Sequence, residues 1–250
     1  MGGNGRYHLR VRSPRRRSHG PQAVTLRAGG RAARPGEYRA VIFDLDGTLT
    51  REANSWAAVQ RRLGPVQYGR ARERWQRYSA GGLTRQEFLE EQVRDLAGQD
   101  STLLDEVVAE VEYQDGVAAA CSALGAAGLR LAIISAGLQA LAERVADDLG
   151  IHLRRANSIE VEGGLFTGRG VIAVPPGGKA PVFLATCEEL EVDPRSVVAV
   201  GDSSGDIDMF ELAGLGVAFD PASWDARQAA DAVIEDPDMR HLLPLVLAAS

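Results

Sequence analysis

The sequence predicts an α/β fold: a doubly wound parallel sheet with a block of helices inserted after the first core strand. Three observations predict it. Short, almost wholly apolar runs occur at residues 41–43, 129–134 and 197–200, the pattern of strands covered on both faces. Segments of helical periodicity separate the last two runs, and a helix between strands implies parallel pairing with right-handed crossovers. Each run also ends in polar residues, Asp44 and Asp46, then Ser135, then Asp202 and Asp206. Open α/β sheets collect their ligands at that edge.

The elements follow in chain order. Residues 1–40 hold ten arginines and one glutamate among many Gly, Pro and Ser, a composition that cannot bury a core. Residues 1–37 are therefore expected to form a disordered basic extension without function. They lack the apolar stretch of a secretory signal. The first core strand runs into Asp44-Leu-Asp46-Gly-Thr-Leu-Thr50. Residues 56–63, 70–78, 87–96 and 103–112 show amphipathic helical spacing between Gly-Pro, Gly-Gly and Gly-Gln-Asp breaks, so 51–114 reads as a helical insertion. A helix over 117–126 leads into the second buried strand, which closes on Ser135-Ala136-Gly137, and a helix over 138–149 follows. Residues 158–168 resemble a hairpin turning at Gly163-Gly164. A Pro/Gly loop delivers Lys179 to the start of a helix reaching residue 190. The third buried strand ends at Gly201-Asp202-Ser-Ser-Gly-Asp206, and short strands are expected at 217–219 and 233–234. The core would thus comprise 38–50 and 115–250.

Composition excludes several classes of protein. The 250 residues are 45% hydrophobic and 25% charged, ordinary for a globular chain. No run approaches the roughly 18 apolar residues of a membrane span. Outside the basic extension the chain is strongly acidic, with a net charge of −6 overall, so nucleic acid is not expected as the ligand of the core. Cys121 and Cys187 fall in apolar helical stretches and in no metal-ligand spacing; they read as buried free thiols in a reducing, cytoplasmic setting. Of 28 basic residues only Lys179 is lysine, which marks a place where a compact ammonium is needed rather than a planar fork.

The polar strand ends and Lys179 form one chemical set. Carboxylates with open oxygens suit Mg²⁺, while a serine hydroxyl, a lysine and helix N-terminal amides suit a phosphoryl group. Together they point to phosphoryl transfer, which depends on positioning and charge neutralisation. The four segments, Asp44 to Thr50, Ser135, Lys179 and Gly201 to Asp206, resemble in order the four motifs of the haloacid dehalogenase-like superfamily. The helical insertion is similar to the cap of its phosphoserine-phosphatase-like branch, as is the hairpin region from Asn157 to Gly168.

That resemblance implies a Rossmann-like core and a Mg²⁺-dependent phosphatase acting on a small phosphorylated metabolite, as monomer or homodimer. It implies Asp44 as nucleophile and Asp46 as acid and base. Asp44, the Asp46 carbonyl, Asp202 and Asp206 would form the metal set, and Ser135, Ala136 and Lys179 would hold phosphate. The specific alternative is a phosphoserine phosphatase of serine biosynthesis. Against it, the position where that branch carries a substrate-binding Glu holds Ala53, with Glu52 adjacent, and the position of its cap Arg matches Asp95, with Arg94 adjacent. Glu52 and Arg94 are the corresponding specificity candidates. The rival from another class is a binding protein that uses this fold as scaffold and the Arg-rich arm for nucleic acid. The intact Asp44/Asp46 pair counts against it.

Overall fold

The computed structural model describes residues 24–26, 35–175 and 178–248. Eight strands form one sheet, in the spatial order β1-β8-β7-β6-β2-β3-β4-β5. They are β1 (Val24–Leu26), β2 (Ala40–Phe43), β3 (Arg130–Leu138), β4 (Leu153–Glu162), β5 (Leu165–Val171), β6 (Val197–Gly201), β7 (Leu215–Phe219) and β8 (Ala232–Ile234). The contiguous run from β8 to β4 is parallel, and the two edge pairs, β1–β8 and β4–β5, are antiparallel.

The central strands are apolar throughout because both of their faces are covered. Successive side chains alternate across a strand, so Val41 and Phe43 enter one core while Ala40 and Ile42 enter the other. β3 divides likewise, with Leu131 and Ile133 opposite Ala132 and Ile134. The first core is roofed by α5 (Val117–Ala126) and α6 (Gln139–Leu149). The second is roofed by α7 (Lys179–Glu189), α8 (Ile207–Leu212) and α9 (Trp224–Ala229). β2 has β3 on one side and β6 on the other, so chain order reverses at β2. A crevice opens at such a switch point, beyond the carboxyl ends of the strands.

Four helices precede α5 in the segment between β2 and β3: α1 (Ser55–Arg62), α2 (Pro65–Ser79), α3 (Arg85–Arg94) and α4 (Thr102–Glu110). Their starts are encoded locally. The Asn54 side chain accepts the Ala57 N–H, Pro65 opens α2, and Thr84 with Glu87 makes a reciprocal capping box, devices that satisfy or remove otherwise orphaned amides. The two connections to the core run side by side, with Arg51 N–H donating to Glu112 O at 2.8 Å and Gln114 N–H to Leu49 O at 3.0 Å. The turn after α3 also pairs with the hairpin of β4 and β5. Gly98 N–H donates to Phe166 O (2.8 Å), Phe166 N–H to Gln99 O (2.9 Å) and Ser101 N–H to Gly164 O (2.9 Å).

Two expectations are corrected. The basic extension is not structureless throughout, since β1 adds an antiparallel strand to β8. A bare strand edge presents unpaired amides and carbonyls, which even three residues can occupy. The rest of that expectation, residues 1–23 and 27–34, lies outside the described residues. The second buried strand also continues past Ile134 to Leu138, with an irregular register between those two residues. Ser135, Ala136 and Gly137 therefore sit inside a distorted strand end. Cys121 and Cys187 are free and buried as expected, and no helix among the described residues is long and apolar enough to cross a membrane.

Candidate active site

The carboxyl ends of β2 and β6 and the start of α7 place four charged groups together. Asp44 continues β2, its N–H donating to Val200 O of β6 at 2.8 Å. The Lys179 ammonium lies 2.8 Å from Asp44 Oδ1 and 2.6 Å from Asp206 Oδ1. Carboxylate oxygens of Asp44, Asp202 and Asp206 all fall within 4.8 Å of one another, and all four groups are buried. Both oxygens of Asp206 are engaged. Its other oxygen accepts the Asp202 and Ser203 amides (3.1 and 2.9 Å) and the Ser203 hydroxyl (3.0 Å). Asp206 therefore organises the loop and anchors Lys179, and the open oxygens belong to Asp44 and Asp202.

Glycines make this approach possible. Gly47 adopts φ +81°, and a Cβ there would stand 2.6 Å from Asp202 Oδ2. A Cβ on Gly201 would meet Asp206 Cγ at 2.3 Å.

Burial dominates the electrostatics. It raises the Asp44 carboxyl to about 6, helped by the charge of Asp206 and opposed by Lys179. Burial together with the charges of Asp206 and Asp44 pushes Asp202 well above the ordinary range. Burial pulls Lys179 down, but Asp206 and Asp44 outweigh it and the net shift is upward. Three buried carboxylates thus share one ammonium, and such a surplus is relieved either by protons or by a cation. A compact, all-oxygen donor set with open carboxylate oxygens suits Mg²⁺.

Asp46 occupies a separate environment. Its Oδ2 accepts both the N–H and the hydroxyl of Ser55, each at 2.8 Å, while buried Oδ1 has no hydrogen-bond partner. Burial raises its carboxyl to about 7, against the lowering effect of the Ser55 amide. The Ser55 hydroxyl in turn accepts the Leu138 N–H at 3.1 Å, so the first turn of α1 spans the ends of β2 and β3. Ser55 was not legible in the sequence, where it is one more residue at a helix start. Gly137 closes the other side, since a Cβ there would lie 2.7 Å from Asp46 Oδ2.

Ser135 is buried beside this group, and its Oγ accepts the Gly137 N–H at 3.1 Å. The Ala136 carbonyl accepts two donors, Trp56 Nε1 and Asn157 Nδ2, both at 3.0 Å. Of the specificity candidates, Glu52 stands near enough for its charge to raise Asp46. Its carboxylate is engaged by the Asn54 N–H (3.0 Å) and by Arg61. Arg94 is exposed at the end of α3 with its backbone against Gly168, and no described contact joins it to the carboxylates. Its neighbour Asp95 is paired instead with the buried Arg74 of α2.

Residues 41–211 match the family model described as haloacid dehalogenase-like hydrolase. A phosphoserine phosphatase of Mycobacterium tuberculosis is 32% identical over 210 residues, covering 83% of this chain but only 50% of that protein. A phosphoserine phosphatase of Albidiferax ferrireducens is 30% identical over 221 residues, covering 84% of this chain and 90% of the relative. Among solved structures, a substrate-bound phosphoserine phosphatase complex superposes with a TM-score of 0.74 at 22% identity, covering 84% of this chain and 98% of that one. A HAD family hydrolase from Salmonella enterica gives 0.77 at 21% identity, covering 85% and 74%. At those identities the superpositions speak to fold.

Proposed function

The chain belongs to the haloacid dehalogenase-like hydrolase family, and from its site we propose a Mg²⁺-dependent phosphatase that hydrolyses a small phosphorylated metabolite. One observation carries the reading: the two carboxylates at the end of β2 are held in different ways. Asp44 faces the ammonium of Lys179, while Asp46 faces only the neutral donors of Ser55. Two titratable groups in contrasting environments suit a division between nucleophile and acid.

In this reading an Asp44 oxygen attacks phosphorus as the bond to the leaving oxygen breaks. Asp46 gives its proton to that oxygen. The resulting aspartyl-phosphate divides one hard displacement into two. Asp46, now a carboxylate, takes a proton from water as the water oxygen attacks phosphorus, releasing inorganic phosphate and restoring Asp44. Lys179 balances negative charge beside Asp44, and Ser135 with the backbone at Ala136 binds phosphoryl oxygens. Mg²⁺ would be held by Asp44, the Asp46 carbonyl and Asp202, with Asp206 orienting the set, and when bound it would neutralise phosphoryl charge.

Residues 51–114 are proposed as the cap over this site, on core segments 38–50 and 115–248. Phosphoserine is the first substrate to test, because the named relatives act on it. Engagement of Glu52 by Arg61 and the exposure of Arg94 leave other phosphorylated metabolites as competitors. A panel of phosphoserine, phosphoglycolate, sugar phosphates and nucleotides, ranked by kcat/KM, separates them. The chemistry itself is tested by Asp44→Asn. Turnover of an aryl phosphate should fall by at least about a thousandfold with an unchanged circular-dichroism spectrum. Retained turnover would refute the assignment.

A further inference from the structure

Two side chains outside the charged cluster converge on one carbonyl. Trp56, in the first turn of α1, donates its indole N–H to Ala136 O at 3.0 Å. Asn157, fully buried in β4, donates to the same oxygen at 3.0 Å and to Val174 O at 2.8 Å, and its own oxygen accepts the Val174 N–H at 2.8 Å. A carbonyl with two donors from different elements is fixed in direction. The trans peptide is planar, so fixing the Ala136 carbonyl also fixes the Gly137 N–H on the opposite side. That N–H points at Ser135 Oγ, 3.1 Å away. A hydroxyl that accepts there keeps its single proton for another acceptor.

We propose that Trp56 and Asn157 are positioning residues that hold the Ala136–Gly137 peptide so that the Ser135 hydroxyl donates to the phosphoryl group. The inference rests on the phosphatase reading for the role of Ser135, and it adds a chain of contacts that begins in the helical insertion. Asn157 extends the same control toward Lys179. Its two bonds to Val174 fix the backbone five residues before that lysine.

Trp56→Phe is the decisive variant. It removes the N–H while keeping an aromatic ring, smaller than indole, in the same place, and Ala136 O keeps its Asn157 donor, so no buried polar group is orphaned. Turnover of an aryl phosphate should fall about tenfold, and the inhibition constant for inorganic phosphate should rise about fivefold. The melting temperature should fall by no more than about 5 °C, the cost of the smaller ring in the core. The Gly137 amide resonance should shift, and its hydrogen exchange should quicken. Asn157→Ala should change the kinetics in the same direction while also lowering the melting temperature, because both polar groups of Val174 lose their partner.

Unchanged turnover, phosphate inhibition and Gly137 amide in Trp56→Phe would overturn the proposal. So would a loss of turnover matched by an equal loss of folded protein. If the wild-type protein hydrolyses no phosphate monoester, the phosphatase reading fails. The Gly137 amide then still decides whether Trp56 sets that peptide.

Discussion

Lys179 shows why one position in an arginine-rich chain resists arginine. Its ammonium meets Asp44 and Asp206 from a buried position only 3% exposed. A guanidinium is larger, planar and rigid, and needs a matching fork of acceptors. Lys179→Arg is expected to lower turnover by at least about a hundredfold while preserving the charge, as steady-state kinetics would show. Activity within threefold of wild type would mean that charge alone suffices.

The carboxylates also predict a pH dependence of stability. Asp44 and Asp46 titrate at about 6 and about 7 in the folded chain, above their ordinary 3.8. The folded state thus holds these protons more tightly than the unfolded state does, and the penalty on folding grows as pH rises from about 4 through about 7. A divalent cation competes with the same protons. The rise in melting temperature on adding Mg²⁺ to chelator-treated protein should therefore be larger at pH 8 than at pH 5.5. Calorimetry showing equal shifts at both would contradict the proposed ligand set.

Backbone hydrogen bonds join helices α1–α4 to the rest of the molecule in two places. One is the paired connection at residues 49–51 and 112–114, and the other is the backbone pairing of residues 98–101 with the hairpin. Backbone bonds of that second kind break together when the elements they join separate. The Phe166 and Ser101 amides are expected to exchange with solvent at similar free energies of opening. A hydrogen-exchange measurement that separates them widely would show the hairpin moving independently of the helices. The hairpin turn at Gly163-Gly164 was legible from its residues. Its pairing with residues 98–101 was not, because contacts between segments about 65 residues apart leave no local periodicity.

Across the whole molecule, charge divides between an arginine-rich beginning and an acidic remainder. β1 contributes three residues to the far edge of the sheet, and Leu26 stays largely exposed. Removal of residues 1–36 should leave kcat/KM within about twofold and lower the melting temperature only slightly. A large loss of activity would give the arm a part in catalysis, whereas nucleic-acid binding lost on the same deletion would revive the nucleic-acid rival.

The buried strands, the helix starts and the acidic strand ends were all written locally, in apolar runs, caps and glycines. Asp44, Asp46, Lys179, Asp202 and Asp206 could be named because their residue types are costly to bury without purpose. Ser55, Trp56 and Asn157 could not be picked out as members of the site, for each is an ordinary residue of a helix or strand. Their importance comes from what stands opposite: Asp46, the Ala136 carbonyl and the Val174 backbone. Glu52 and Arg94 illustrate the converse, since spacing nominated both, while packing engaged one with Arg61 and left the other in solvent. Chemistry that resides in single side chains can be read along a chain. The orientation of a peptide plane by two distant donors exists only after the chain has folded, because hydrogen bonds depend on direction across space.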